Sequence, residues 1–105
     1  MTWPPIPSLI RGSSGPIKVR RVKKAIANGQ DCWGHWNDAK RLITIDKTAA
    51  IEFQWRVLFH ELAHAALSDA GTENLMEDQA VEAVCDAVAT ARMQELRGEL
   101  GIIDS

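Results

Sequence analysis

The feature that most limits how this chain can fold is a change of hydrophobic period at Asp46. Before it, apolar and charged residues alternate: Ile17 and Val19 on one side, Lys18 and Arg20 on the other, then Val22. A period of two is that of a strand with one buried face, and the crowding of lysine and arginine predicts a sheet edge. Asn28-Gly29 marks a turn, and two more short strands are expected at 31–36 and 41–46, joined by Asn37-Asp38-Ala39-Lys40. Residues 1–14, with Pro4, Pro5, Pro7 and the run Gly12-Ser13-Ser14-Gly15, read as an irregular lead-in.

After Asp46 the apolar residues recur at three- and four-residue steps. Trp55, Leu58, Phe59, Leu62, Ala63 and Ala66 define one stripe of a helix over about 48–70, stopped by Gly71. Asn74 with Glu77 three residues on reads as a capping box opening a second helix. Its stripe is Val81, Val84, Cys85, Val88 and Arg92, and Gly98 is its expected end. The expected fold is a small α+β domain over 15–98: a three-stranded antiparallel sheet, then an antiparallel helical hairpin, with 99–105 as a tail.

Composition narrows the classes of function. A chain of 105 residues, 46% hydrophobic and 25% charged, fits one globular domain. No apolar run approaches the ~20 residues that cross a bilayer, so no membrane partner is expected. The first seven residues lack the basic and apolar regions of a secretory signal. Cys32 and Cys85 are too few and too far apart for a disulfide framework or a paired-cysteine metal site, and a reducing cytoplasmic compartment is expected. Charge is uneven: residues 1–50 carry +6 and residues 51–105 carry −8. The basic cluster Lys18, Arg20, Arg21, Lys23 and Lys24 is read as edge protection rather than a nucleic-acid surface. An acidic half with few cationic partners raises the question of what its carboxylates bind.

The chemistry sits in His60-Glu61-Leu62-Ala63-His64. Imidazoles at i and i+4 lie one helical turn apart on one face, close enough to bind one Zn²⁺, and the glutamate between them can serve a zinc-activated water as general base. Shuffling three histidines and seven glutamates through 105 positions yields this pattern in only about 0.4% of chains. His60, Glu61 and His64 fall opposite the Trp55/Leu58/Leu62/Ala66 stripe, so they are not core residues of that stripe; a solvated polar face is the competing reading.

A catalytic zinc needs a third protein ligand. A histidine six residues on is absent, since position 70 is Ala70. In an antiparallel hairpin, His64 lies ~9 Å up the first helix and Glu82 ~10 Å up the second, so Glu82 is the favoured third ligand. Glu77 and Asp78 lie about one turn lower. Asp86, one turn beyond Glu82, comes level with His60, where it can accept from that imidazole's other N–H and orient it.

His60-Glu61-x-x-His64 followed by Glu82-x-x-x-Asp86 resembles the gluzincin zinc metallopeptidases, including the minigluzincins. Cys32-Trp33-Gly34-His35, Leu42-Ile43-Thr44-Ile45-Asp46 and Leu58–His64 are similar to the ImmA/IrrE-type metallopeptidases of bacteria and phages. The resemblance spans roughly 17–97. It implies zinc on His60, His64 and Glu82, Glu61 as general base, Asp86 behind His60, and a peptide or protein substrate bound as an added strand along the sheet edge. The chain has no tyrosine to polarise the scissile carbonyl. His35, the one remaining histidine, is the candidate oxyanion stabiliser, with packing beside Trp33 and Trp36 as the alternative. The expected function is a zinc-dependent peptidase; the alternative is a zinc-stabilised binding module with little or no hydrolysis.

Overall fold

The structure is a computed structural model that describes residues 3–102. Six strands precede two helices: β1 (Leu9–Gly12), β2 (Gly15–Val22), β3 (Ala25–Ala27), β4 (Gln30–Cys32), β5 (Gly34–Asn37), β6 (Leu42–Asp46), α1 (Ile51–Asp69) and α2 (Asp78–Leu100). A 3-10 turn, Thr72–Leu75, joins the helices. The α+β class is as expected; the sheet is not. It is mixed and four-stranded, in the order β1-β2-β6-β5, and β3 and β4 form a separate two-stranded ribbon.

The difference has a topological cause. Alternation identifies a strand and its buried face, but not its partner or direction. Here the chain leaves β2, makes the β3–β4 hairpin and β5, and turns back through Asp38–Arg41 into β6. That places β6 antiparallel to β5 and parallel to β2, with Val19 opposite Ile43 and Arg21 opposite Ile45. The Asn28-Gly29 turn forms as expected, both residues at positive φ (54° and 77°), the type I′ signature.

The lead-in holds a strand that its prolines and serines concealed. β1 pairs antiparallel with β2 through Leu9 and Lys18, and Gly12 faces Gly15 across a two-residue turn. A Cβ on Gly12 would lie 2.6 Å from the Gly15 carbonyl oxygen, so only glycine closes this turn. β2 therefore lies between β1 and β6 rather than at an edge: Gly15–Lys18 pair with β1, Lys18–Val22 pair with β6, and Val19 also donates to the Ser8 carbonyl at 2.9 Å.

Ile17, Val19, Ile43 and Ile45 point from one sheet face into a core with Val57, Leu58 and Ala65 of α1. α1 is thus sandwiched between the sheet and α2, and is buried on more faces than a single stripe predicts. The α2 stripe also differs. Val81, Cys85, Ala89 and Met93 are buried, whereas Val84 and Val88 are exposed and Arg92 lies outside the core. Spacing every fourth residue walks the contact line around α2, which lets the helix follow α1 along its whole length. Trp3 packs on Phe59, Ala89 and Met93 at the far end, and the Trp55 indole donates to the Pro4 carbonyl at 2.8 Å.

Gly71, at φ 72°, ends α1 as expected. The capping box does not form: Asn74 lies in the 3-10 turn, and Glu77 is the N-cap of α2 with no side-chain cap bond. Gly98 is passed over, since the helix continues to Leu100 and stops at Gly101, φ 72°. Regular structure thus begins at Leu9 and runs to Leu100, where 15–98 was the expected domain, while residues 103–105 of the expected tail lie outside the described residues. No helix among the described residues is long and apolar enough to cross a membrane.

Candidate metal centre

α1 and α2 bring together the side chains that the sequence singled out. His60 and His64 project from α1, their ring centroids 5.0 Å apart. The Glu82 carboxylate of α2 spans both: Oε2 lies 3.1 Å from His60 Nε2 and Oε1 lies 2.8 Å from His64 Nε2. The three potential ligand atoms fall within 4.8 Å of one another, a group that could hold a metal ion. Asp86 Oδ1 lies 2.8 Å from His60 Nδ1. Glu77 and Asp78, one turn lower, are not in this group.

The donor chemistry fits a cation. A neutral imidazole carries one N–H. If His60 donates that N–H from Nδ1 to Asp86, its Nε2 presents a lone pair to a Glu82 oxygen, which also presents lone pairs. Such a contact is repulsive unless a positive charge sits between or on the groups, and both Nε2 atoms and the carboxylate aim at the same space. Two imidazole nitrogens and one carboxylate form a set suited to zinc and its borderline neighbours rather than to calcium or magnesium. The imidazoles are 18% and 16% exposed and Glu82 57%, so one side of the group opens to solvent.

Glu61 does not lie on the solvated face of the competing reading. It is buried beside the imidazoles, under β5. Burial pushes its carboxyl above the ordinary value of 4.5; His64 and His60 oppose this, Glu82 adds to it, and the backbone N–H of Trp36 favours the carboxylate. Gly34 makes this approach of strand to helix possible. A Cβ there would collide with Val57 Cγ1 and stand 3.3 Å from the Thr44 carbonyl oxygen and 3.4 Å from Glu61 Cγ.

These residues wall an open cleft of about 500 Å³. His35 lines it too, but its register partner is Thr44, whereas Gly34 and Trp36 are paired with the core residues Ile45 and Ile43. By strand alternation the His35 side chain belongs to the sheet's outer face. Among the described residues, no hydrogen bond or ion pair joins it to His60, His64 or Glu82. Cys85 is fully buried, with its thiol pushed up to about 11, first by burial and then by Glu82, and its sulfur is not part of the group of potential ligand atoms.

Sequence reasoning missed part of the cleft wall: Trp33, Phe53 and Arg56. Phe53 and Val57 precede His60 by seven and three residues and so share its stripe on α1. That was the available signal. No family model, curated protein or solved structure matches the chain.

Proposed function

We propose that this chain is a zinc-dependent peptidase. The observation that carries the reading is the convergence of His60 Nε2, His64 Nε2 and a Glu82 oxygen within 4.8 Å, with the buried Glu61 carboxyl beside them. His60, His64 and Glu82 would hold the ion, and Asp86 would fix the His60 ring with Nε2 toward it. Zinc, when bound, supplies Lewis acidity for the scissile carbonyl and makes an attacking water more acidic. Glu61 takes one proton from that water as its oxygen bonds to the carbonyl carbon, and returns it to the leaving nitrogen as the C–N bond breaks. The balance is one water consumed, one carboxylate and one ammonium formed, the water's second proton passing from the new carboxyl group to the amine. Burial, which raises this carboxyl, favours its holding the proton between the two halves of the transfer.

β5 is the edge strand of the sheet on the cleft side, and a substrate chain laid along it would pass over the His60–His64 group. The chain offers no tyrosine for the carbonyl oxygen; His35 lines the cleft, with a strand register opposite Thr44.

The test is Glu61→Gln. It should retain about one zinc per chain and lose peptide hydrolysis by on the order of 10²–10⁴-fold in kcat. A second reading has its own observation: the group bridges two helices and lies open to solvent on one side, which suits a metal brace in a binding module. Zinc bound at one per chain with no peptide cleaved by the wild type would favour that reading; no zinc taken up would remove both.

A further inference from the structure

Two large aromatic side chains stay exposed side by side at the mouth of the cleft. Trp33 is 54% exposed and Phe53 39%, although both are large enough to repay burial. Their rings meet edge to face, with centroids 5.4 Å apart at 77°, which leaves ring faces open to a third group. Neither is loosely placed. Trp33 bridges β4 and β5, and its carbonyl accepts from the Asp46 N–H at 2.9 Å, while Phe53 lies in the first turn of α1. The pair lines the same cavity as His60, Glu61 and Glu82.

Resting on the peptidase reading above, we propose that Trp33 and Phe53 form a side-chain subsite selecting substrates with a large apolar residue, aromatic or leucine-like, near the scissile bond. The occupant follows from the continuity of the cavity. Phe53 lies seven residues before His60 on one helical stripe, two turns or ~10 Å along α1. An extended chain advances ~3.3 Å per residue, so the subsite serves the side chain about three residues from the bond under attack. The opposite wall is acidic, with Glu73, Glu82 and Asp86 against the single cation Arg56, which itself donates to Thr90 at 3.0 Å. Glu73, the acid of that wall that touches neither imidazole, disfavours acidic residues beside the apolar one.

The experiment is a positional scan with fluorogenic peptides on the zinc-loaded full chain, placing Phe, Leu, Ala or Asp at each of four positions either side of a common scissile bond. At one position about three residues from that bond, kcat/KM should favour Phe over Ala by about tenfold, and Asp should be worst. Trp33→Ala and Phe53→Ala should each bring the Phe-to-Ala ratio toward one, while Trp33→Phe should keep it. The ratio is read within each variant, so a general loss of folded protein does not move it. Hydrolysis with no such ratio in the wild type, or a ratio untouched by both alanine variants, overturns the subsite and leaves the peptidase reading intact. If the wild type hydrolyses nothing, binding of the Phe and Ala peptides to zinc-loaded Glu61→Gln is compared by NMR shift changes. Preferential, Trp33-dependent binding then upholds the subsite and overturns the peptidase reading; equal or absent binding overturns both.

Discussion

Near its C-terminal end, α1 holds Asp69 in a two-pronged contact with Arg41, at 2.7 and 3.0 Å; between one and three turns earlier it holds His60 and His64 against Glu82 and Asp86. The first group is complete. One guanidinium meets one carboxylate in a planar fork, Ser13 adds a hydroxyl at 3.2 Å, and an acid that would be unfavourable at a helix C-terminus is neutralised where it stands. The second group is incomplete. Glu61, Glu82 and Asp86 bring three carboxylates to two imidazoles, and the Glu82 carboxylate faces Nε2 of both rings. The chain has cations to spare, since residues 1–50 carry +6, yet it places none of them here. A fold that closes one charge cluster and leaves its neighbour short of positive charge has the electrostatics of a structural pair beside a cation site.

The strongest way to break this contrast is to supply the missing charge. If the cluster is a zinc site, zinc at a hundredfold excess over its Kd adds about 2.7 kcal/mol, on the order of 10–20 °C in Tm for a chain of this size. EDTA should reverse the shift in a thermal melt. Glu82→Ala should abolish it, because the two imidazoles alone are a weak site. Asp86→Ala should be milder, lowering zinc affinity about 10–100-fold while keeping the stoichiometry. Equal losses in the two variants, measured by competition with a chromogenic chelator, would mean that Asp86 is itself a ligand.

The next effect concerns how Glu61 is held under β5. Gly34→Ala drives a methyl into Val57 and toward the Thr44 carbonyl, at a cost of about 1–3 kcal/mol in folding stability. Val57→Ala in the same chain makes room, so the double variant should unfold at less denaturant than the wild type but recover activity lost by Gly34→Ala alone. Independent, additive losses in both readouts would show that Gly34 does not set the strand-to-helix distance on which Glu61 depends.

What the sequence displayed and what it hid divide along a physical line. The helical pitch is a constant, so 1.5 Å per residue was enough to bring Glu82 level with His64 and Asp86 level with His60 across a short connection. Those are the pairs that meet at 2.8 Å. Sheet order has no such ruler. That β2 would lie parallel to β6, or that Leu9–Gly12 would pair back onto it, depends on tertiary pairing that no two-residue period encodes. The same holds for Glu61. Its place opposite the apolar stripe left a metal-facing and a solvated position both open, and the close approach of Gly34 on a neighbouring strand covers it. Nor does any spacing show that Trp33 is exposed, since indoles are usually buried; its exposure is a property of the cleft.

The smallest effect returns to Arg41 and Asp69, and separates a charge that stabilises from one that binds. The Arg41 hydrogen bond holds the Asp69 carboxyl below its ordinary 3.8, and burial opposes this only in part. A group whose folded value is depressed contributes stability above its unfolded value and loses it as pH falls through the folded one. Asp69→Asn should therefore melt below the wild type at pH 7, with or without zinc, and the gap should shrink once the pH drops under 3.8. A gap unchanged down to the most acidic melt would assign the loss to packing around Arg41 and not to the charge pair. A gap that appeared only with zinc present would couple Asp69 to the metal group, and the separation of the two clusters would fail.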